Sequence, residues 1–305
     1  MIDVTADRNA AGCILLVSCL LLGGAASAAG ESMSSGSPDP AEAYPGYRLV
    51  WSDEFDVDGP PDPEKWNFGK EGFLRNNEVQ WYQGENAVVR DGTLVIEARQ
   101  ERRPNPNYVA GSKSWKTNRR FIEYTSAQVT TRDQHAWTYG RFEIRAKVQA
   151  RPGLWPAIWT VGSARPWPGC GEIDIMEYYR GKVLANAAWS KAGGNQWASR
   201  WDASKTPIAD LPNPEGWEDR FHVWLMDWDH DFIRIYLDGQ LLNEVDLSQT
   251  FNETGDRANP FREPHHLLLN LALGGDNADH PADTDTPFPA HFTVDYVRVY
   301  QLQED

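Results

Sequence analysis

From Tyr47 onward the sequence is built of short runs in which apolar and polar residues alternate, with no long amphipathic-helix pattern among them. Phe142 to Val148 alternates in this way, and so does Phe292 to Tyr300. Phe232 to Leu237, the pair Asp238-Gly239 and Gln240 to Leu247 read as a β-hairpin, because Asp-Gly supplies the positive φ angles of a type I′ turn. Asp91-Gly92, ahead of Leu94 to Ala98, predicts a second such turn. Side chains on a strand alternate between faces, so these runs each present one apolar face to a core. The pattern predicts an all-β, two-sheet antiparallel sandwich with one polar groove face. No repeat and no linker interrupts the chain after residue 46, so residues 47–302 are expected to form one domain.

Residues 1–28 read as an export signal. The apolar run Cys13 to Leu22 is too short to span a bilayer and is followed by Ala26-Ser27-Ala28, a small-residue cleavage site. Leu16-Val17-Ser18-Cys19 loosely matches a lipoprotein attachment box, but the apolar run continues past Cys19, which disfavours a lipid anchor there. Residues 29–46, rich in Ser, Gly, Pro and Ala, read as a flexible tether. Loss of residues 1–28 leaves Cys170 as the single cysteine, so a disulfide framework is not available to the exported chain. Cys170 is expected to be a small buried filler.

The full chain carries 44 acidic and 29 basic residues, a net charge of −15. That sign argues against nucleic acid or an anionic membrane as partner. The 14 Trp exceed what a core requires, and flat apolar faces suit stacking on sugar rings. A secreted monomer acting on a polysaccharide is the expectation.

The run Glu172-Ile173-Asp174-Ile175-Met176-Glu177 carries the chemistry. On a regular strand Glu172 and Asp174 share a face, but strict alternation sends Glu177 to the other side. One extra residue at Ile175-Met176, a β-bulge, restores Glu177 to the acidic face. Two carboxyls about 5–5.5 Å apart are what retaining glycoside hydrolysis needs, one as nucleophile and one as acid/base. Asp174 between them can hydrogen-bond the nucleophile and raise the pKa of its neighbour by like charge. Taken alone, the motif is equally compatible with an acidic strand edge or a calcium site.

Its surroundings favour the first reading. Gly153 to Trp159 and Trp167-Pro168-Gly169-Cys170, with Glu172, Asp174 and Glu177, resemble the signature of glycoside hydrolase family 16, in its laminarinase-like branch. Further matching motifs, in order, are Trp51 to Phe55, Asn76 to Tyr82, Thr138 to Glu143, Asp227-Trp228, Asn270 to Gly275 and Val294 to Tyr300. The resemblance implies a β-jelly roll of two curved sheets with substrate in the concave groove. It assigns Glu172 as nucleophile, Asp174 as assisting acid and Glu177 as acid/base. It places Trp155 and Trp159 in the donor subsites, Asn76 near the cleavage point and Trp228 in the groove. It requires no cofactor for catalysis, and it implies a structural calcium held by Glu54, the Gly92 carbonyl and Asp295.

Two departures bear on specificity. Laminarinases carry a His in a Thr-x-His context on the strand after the catalytic one. Here that strand reads Leu184 to Trp189, and Trp189 is taken to stand in place of the His as a substrate contact. Asp276-Asn277 follows Gly274-Gly275 where many laminarinases have Trp. A β-1,3- or mixed-linkage β-1,3-1,4-glucan is the expected substrate. The alternatives are a red-algal galactan, with Arg75 and Arg200 as candidate contacts, and a non-catalytic glucan-binding paralogue.

Overall fold

The alternating runs form the strands, and their turns are those the sequence specifies. Asp238 and Gly239 have φ of 49° and 81°, and Asp91 and Gly92 have φ of 52° and 70°, the left-handed pair a type I′ turn requires. The computed structural model describes residues 40 and 43–303. The export signal over 1–28, with Cys19, and most of the 29–46 tether lie outside the described residues.

Sixteen strands occur among the described residues: β1 (Tyr47–Asp53), β2 (Gln80–Tyr82), β3 (Ala87–Arg90), β4 (Thr93–Pro104), β5 (Phe121–Ser126), β6 (Gln128–Thr130), β7 (Gly140–Val148), β8 (Leu154–Gly162), β9 (Glu172–Tyr179), β10 (Lys182–Ser190), β11 (Ser199–Pro207), β12 (His222–Trp228), β13 (Phe232–Leu237), β14 (Gln240–Asp246), β15 (His265–Leu273) and β16 (Ala290–Leu302). The helices connecting them are 3₁₀ turns of three residues each, and none is long and apolar enough to cross a membrane. One sheet runs β14-β13-β12-β7-β16-β4-β5-β2, with β1 on β16 and β3 on β4. The other runs β11-β10-β9-β8-β15-β6. Apart from the parallel β2–β5 pair the ladders are antiparallel, and the whole is a β-jelly roll.

The two inner faces meet in one large core. Ile173, Ile175, Met176, Leu267, Leu269 and Leu271 of the smaller sheet pack with Phe142, Ile144, Trp224, Phe292, Val294 and Val297 of the larger. Burying each such side chain stabilises the fold by roughly 1.5–3 kcal/mol. Two tryptophans expected in the groove belong to this core. Trp228 is 2% exposed and donates its Nε1–H to the Phe261 carbonyl at 2.9 Å, because its strand lies in the opposite sheet with its indole turned inward. Trp189 is also a core residue, packed edge-on to Phe261 at 6.2 Å between ring centres. Cys170 is buried and free, and burial pushes its thiol up to about 11.

Strand β16 departs from strict alternation. Its register against β7 shifts between Val294 and Tyr296, so Asp295 is an extra residue that keeps both Val294 and Val297 inside. The Asp295 carboxylate accepts from Arg145 Nη1 at 2.6 Å. Glu54 accepts from Arg298 through both oxygens, at 3.0 and 2.8 Å. Calcium takes six to eight oxygen ligands. The calcium set implied for Glu54, the Gly92 carbonyl and Asp295 has its two carboxylates paired with guanidinium groups, with which a calcium ion would compete. No cluster of three His, Cys, Asp or Glu suited to a metal is found among the described residues. Dialysis against EDTA should therefore leave the thermal midpoint within about 1 °C, well under the shift that losing about 1 kcal/mol produces. A drop of many degrees, reversed by calcium, would show that those carboxylates serve the ion instead of the arginines.

Candidate active site

The floor of the groove is the outer face of the six-stranded sheet. Against β10, Asp174 pairs with Asn186 and Glu177 with Leu184, so Ile175 and Met176 together oppose the single residue Ala185. Against β8 the register shifts between Ile158 and Trp159. This is the bulge expected at Ile175-Met176. Ile173, Ile175 and Met176 are fully buried beneath, while Glu172, Asp174 and Glu177 stand together on the groove side. Gly171, with φ of 78°, leads into the strand where a Cβ would lie 2.9 Å from the Pro260 ring, so a side chain there would clash.

Each carboxylate is held by a neighbour on the same face. Trp167 Nε1 donates to Glu172 Oε2 at 2.8 Å. Trp155 Nε1 donates to Glu177 Oε1 at 2.8 Å. Asn186 Nδ2 donates to Asp174 Oδ2 at 3.0 Å and to Glu177 Oε2 at 3.1 Å. Lys205 of β11 falls in the same cross-strand row as Glu177, through Leu184, and its charge favours the Glu177 anion.

All three carboxyls are pushed above the usual carboxylate range. Glu172 is raised to about 7, first by withdrawal from water and then by the charge of Glu177. Asp174 is raised well above its ordinary value, by burial and then by Glu177 and Glu172 on either side. Glu177 is raised by burial, while the Trp155, Asp174 and Asn186 hydrogen bonds pull it back. The coupling expected from Asp174 onto Glu177 by like charge is therefore replaced by burial as the leading cause. The three groups titrate as a linked set, with Asp174 beside both glutamates.

Other expected residues are distributed around this centre. Trp159 donates Nε1–H to Asn270 Oδ1 at 2.8 Å, and the Arg75 guanidinium lies 4.9 Å from its ring centre. Arg75 also bonds Gln128, and its charge favours the Glu172 anion. Trp155 is 5% exposed and packs edge-on to Tyr179, so it forms floor more than an open platform. Asn76 sits in a left-handed turn with φ of 51°, and its carbonyl accepts from Asp276 N at 2.9 Å. That contact ties its loop to the Gly274-Gly275 turn after β15. Arg200 pairs with Glu253, away from the groove. His265 and His266 bond separately, to Thr160 and Ser163, and share no ligand position.

The His position of the Thr-x-His pattern is Ala188, not Trp189. Asn186 faces the groove, so residue 188 shares its face and residue 189 turns inward. Sequence reading also missed Asn186 and Trp167 as partners of the carboxylates. The two-residue spacing of Thr-x-His, laid on Asn186-x-Ala188, carried the signal for both Asn186 and Ala188.

Comparison with known proteins identifies the family. The model of glycosyl hydrolases family 16 matches residues 75–298. A β-glucanase of Rhodothermus marinus is 38% identical, over 87% of this chain and 89% of its own. The laminarinase catalytic domain of Thermotoga maritima superposes with a TM-score of 0.69 at 35% identity, covering 85% of this chain and 99% of that one. A structure from work on endo-acting O-glycanases that human gut bacteria express to initiate mucin breakdown gives a TM-score of 0.75. Its identity is 36%, with 85% and 92% of the two chains covered. With the bulged strand and its three carboxylates in place, the chain is a glycoside hydrolase and belongs to glycosyl hydrolases family 16.

Proposed function

We propose that this chain is an exported, retaining endo-hydrolase of β-glucans that contain β-1,3 bonds, either pure or mixed with β-1,4. The observation that carries the reading is the bulge, which sets Glu172 and Glu177 on one face with Asp174 between them. Export rests on the sequence of residues 1–28, and a monomer is the working expectation. In the first step Glu172 attacks the anomeric carbon while Glu177 gives its proton to the leaving oxygen. In the second, Glu177 takes a proton from water, which opens the glycosyl ester. Trp167 occupies Glu172 Oε2, leaving the other oxygen to attack. Trp155 and Asn186 fix Glu177, and the Asp174 proton stabilises the Glu172 anion as it leaves the ester. Trp155 and Trp159 on β8 mark the donor side, with Asn76 and Arg75 on the adjoining loop. β10 and β11 then mark the acceptor side.

A β-galactan is the second reading. It is favoured by Ala188 in place of the laminarinase His and by likeness to a keratan-sulfate endo-1,4-β-galactosidase of Sphingobacterium multivorum, 29% identical over 84% of this chain and 56% of its own. Reducing-end release and product sizing on laminarin, barley β-glucan, agarose, porphyran and poly-N-acetyllactosamine separate the two. Activity confined to the galactose polymers would overturn the glucan assignment and leave the carboxylate roles standing.

Glu172→Gln should lose at least about a thousandfold in kcat while keeping its fold, and Glu177→Ala should fall by about 10²–10⁴. Azide should rescue Glu177→Ala on an activated substrate and yield the β-glycosyl azide, as a retaining pathway demands. Near-normal turnover by folded Glu172→Gln would remove that residue from the mechanism.

The raised carboxyls set the pH dependence. Glu172 must be ionised to attack, so the acid limb of kcat/KM should lie near pH 7, well above an ordinary glutamate. The alkaline limb reports loss of the last shared proton. Stability follows the same shift: between pH 4.5 and 7 the folded chain binds more protons than the unfolded one, so stability falls as pH rises. Glu172→Gln should thus gain about 3 kcal/mol over wild type by pH 7.5, with the gain vanishing toward pH 4.5. Chemical denaturation across that range would contradict the shift if the gain were constant or grew toward acid.

A further inference from the structure

Two tryptophans leave their rings largely in water: Trp197 is 56% and Trp201 is 47% exposed. Both lie on the β11 side of Glu172, and the carboxylate chemistry uses neither. Ala188 pairs with Glu172 on one side and with Trp201 on the other, so the three residues form one cross-strand row. The next residue, Asp202, accepts from Asn243 of β14 in the opposite sheet at 3.1 Å. Asp202 therefore points between the sheets, and Trp201 points into the groove. Adjacent strands are about 4.8 Å apart, which puts the Trp201 backbone about 10 Å from that of Glu172. Ala188, in the row between them, is fully buried, so the surface that this row offers beyond Glu172 is the Trp201 ring.

The flanks of this spot are also built. Trp201 Nε1 donates to Ser199 Oγ at 3.0 Å, which fixes one edge of its ring. The loop before β11 is closed by Lys191 N donating to the Ala198 carbonyl at 3.0 Å. It sets Trp197 6.2 Å from the ring of Trp167, the indole that holds Glu172. The groove-facing residues of β11 are Ser199, Trp201, Ala203 and Lys205, and Lys205 stands in the row of Glu177 instead. Along β11 the row of Glu172 thus offers a flat apolar ring, while the cation of that face stands two rows away.

We propose that Trp201 and Trp197 form a stacking subsite for a neutral pyranose in the leaving-group part of the polymer. The proposal rests on the reading above, in which Glu172 and Glu177 cleave and the β8 side holds the donor sugars. The C–H face of the ring lies on Trp201, and Trp197 closes the outer wall. Trp201 and Trp197 act on binding of the acceptor portion and take no part in proton transfer.

The test compares two substrates that differ in that portion alone: laminarin, which fills both sides of the groove, and β-laminaribiosyl fluoride, which has no acceptor sugar. Trp201→Ala should lower the ratio of kcat/KM for laminarin to that for the fluoride by about tenfold, the scale of one aromatic stacking contact. Trp201→Phe should recover the ratio to within about threefold, since it keeps a flat ring. Trp197→Ala, which removes the outer wall, should lower the ratio by about threefold. An unchanged ratio in both Trp201→Ala and Trp197→Ala would overturn the subsite. An equal fall on both substrates would overturn its place on the acceptor side. Should wild type cut agarose or poly-N-acetyllactosamine and leave laminarin intact, the glucan reading fails alone. The same ratio is then measured on that polymer and the fluoride of its own disaccharide.

Discussion

Everything at the centre of this molecule depends on one extra residue in β9. Without it, the apolar set Ile173, Ile175 and Tyr178 and the acidic set Glu172, Asp174 and Glu177 could not both keep to their own faces. The bulge satisfies the core and the groove together, since Ile175 and Met176 both go down and Glu177 comes up. The core demand is strong, because a one-residue slip in a strand with one buried face exposes its whole apolar set. The chemistry is therefore locked in place by hydrophobic packing on the opposite side of the same strand.

Gathering three carboxyls has an electrostatic cost, which the surroundings distribute. Trp167, Trp155 and Asn186 each supply a donor, and the Lys205 and Arg75 charges favour the anions of Glu177 and Glu172. None of these removes the cost, and all three groups remain above their ordinary pKa. A carboxyl raised in this way holds its proton to higher pH, which is what protonation of a glycosidic oxygen calls for. The convex side handles its acids differently: Glu54 and Asp295 are each paired with an arginine.

Much of this was legible before the fold was known. The hairpins followed from their Asp-Gly turns, and the β9 bulge followed from the wish to keep Glu177 with its partners. Less was legible where a residue's face depended on strand register. Trp189 and Trp228 carry the ring a groove wants, but their positions in β10 and β12 turn them to the core. Burial and groove stacking both select tryptophan, so residue type alone could not separate them. The arginine partners of the implied calcium carboxylates were hidden for a related reason: Arg145 lies far from Asp295 in sequence and Arg298 far from Glu54, and those pairings appear only when the strands align. Arg200 was misread in the same way, because its strand turns it to Glu253.

The central claim is that Glu172 and Glu177 work as nucleophile and acid/base across one sugar, not as two acids activating water on opposite faces. The stereochemistry of the first product decides this directly. Proton NMR during the first minutes of hydrolysis, before mutarotation, should show the new reducing end as the β-anomer. An α-anomer appearing first would mean inversion, and the pair would then have to lie farther apart than a shared, bulged strand face allows.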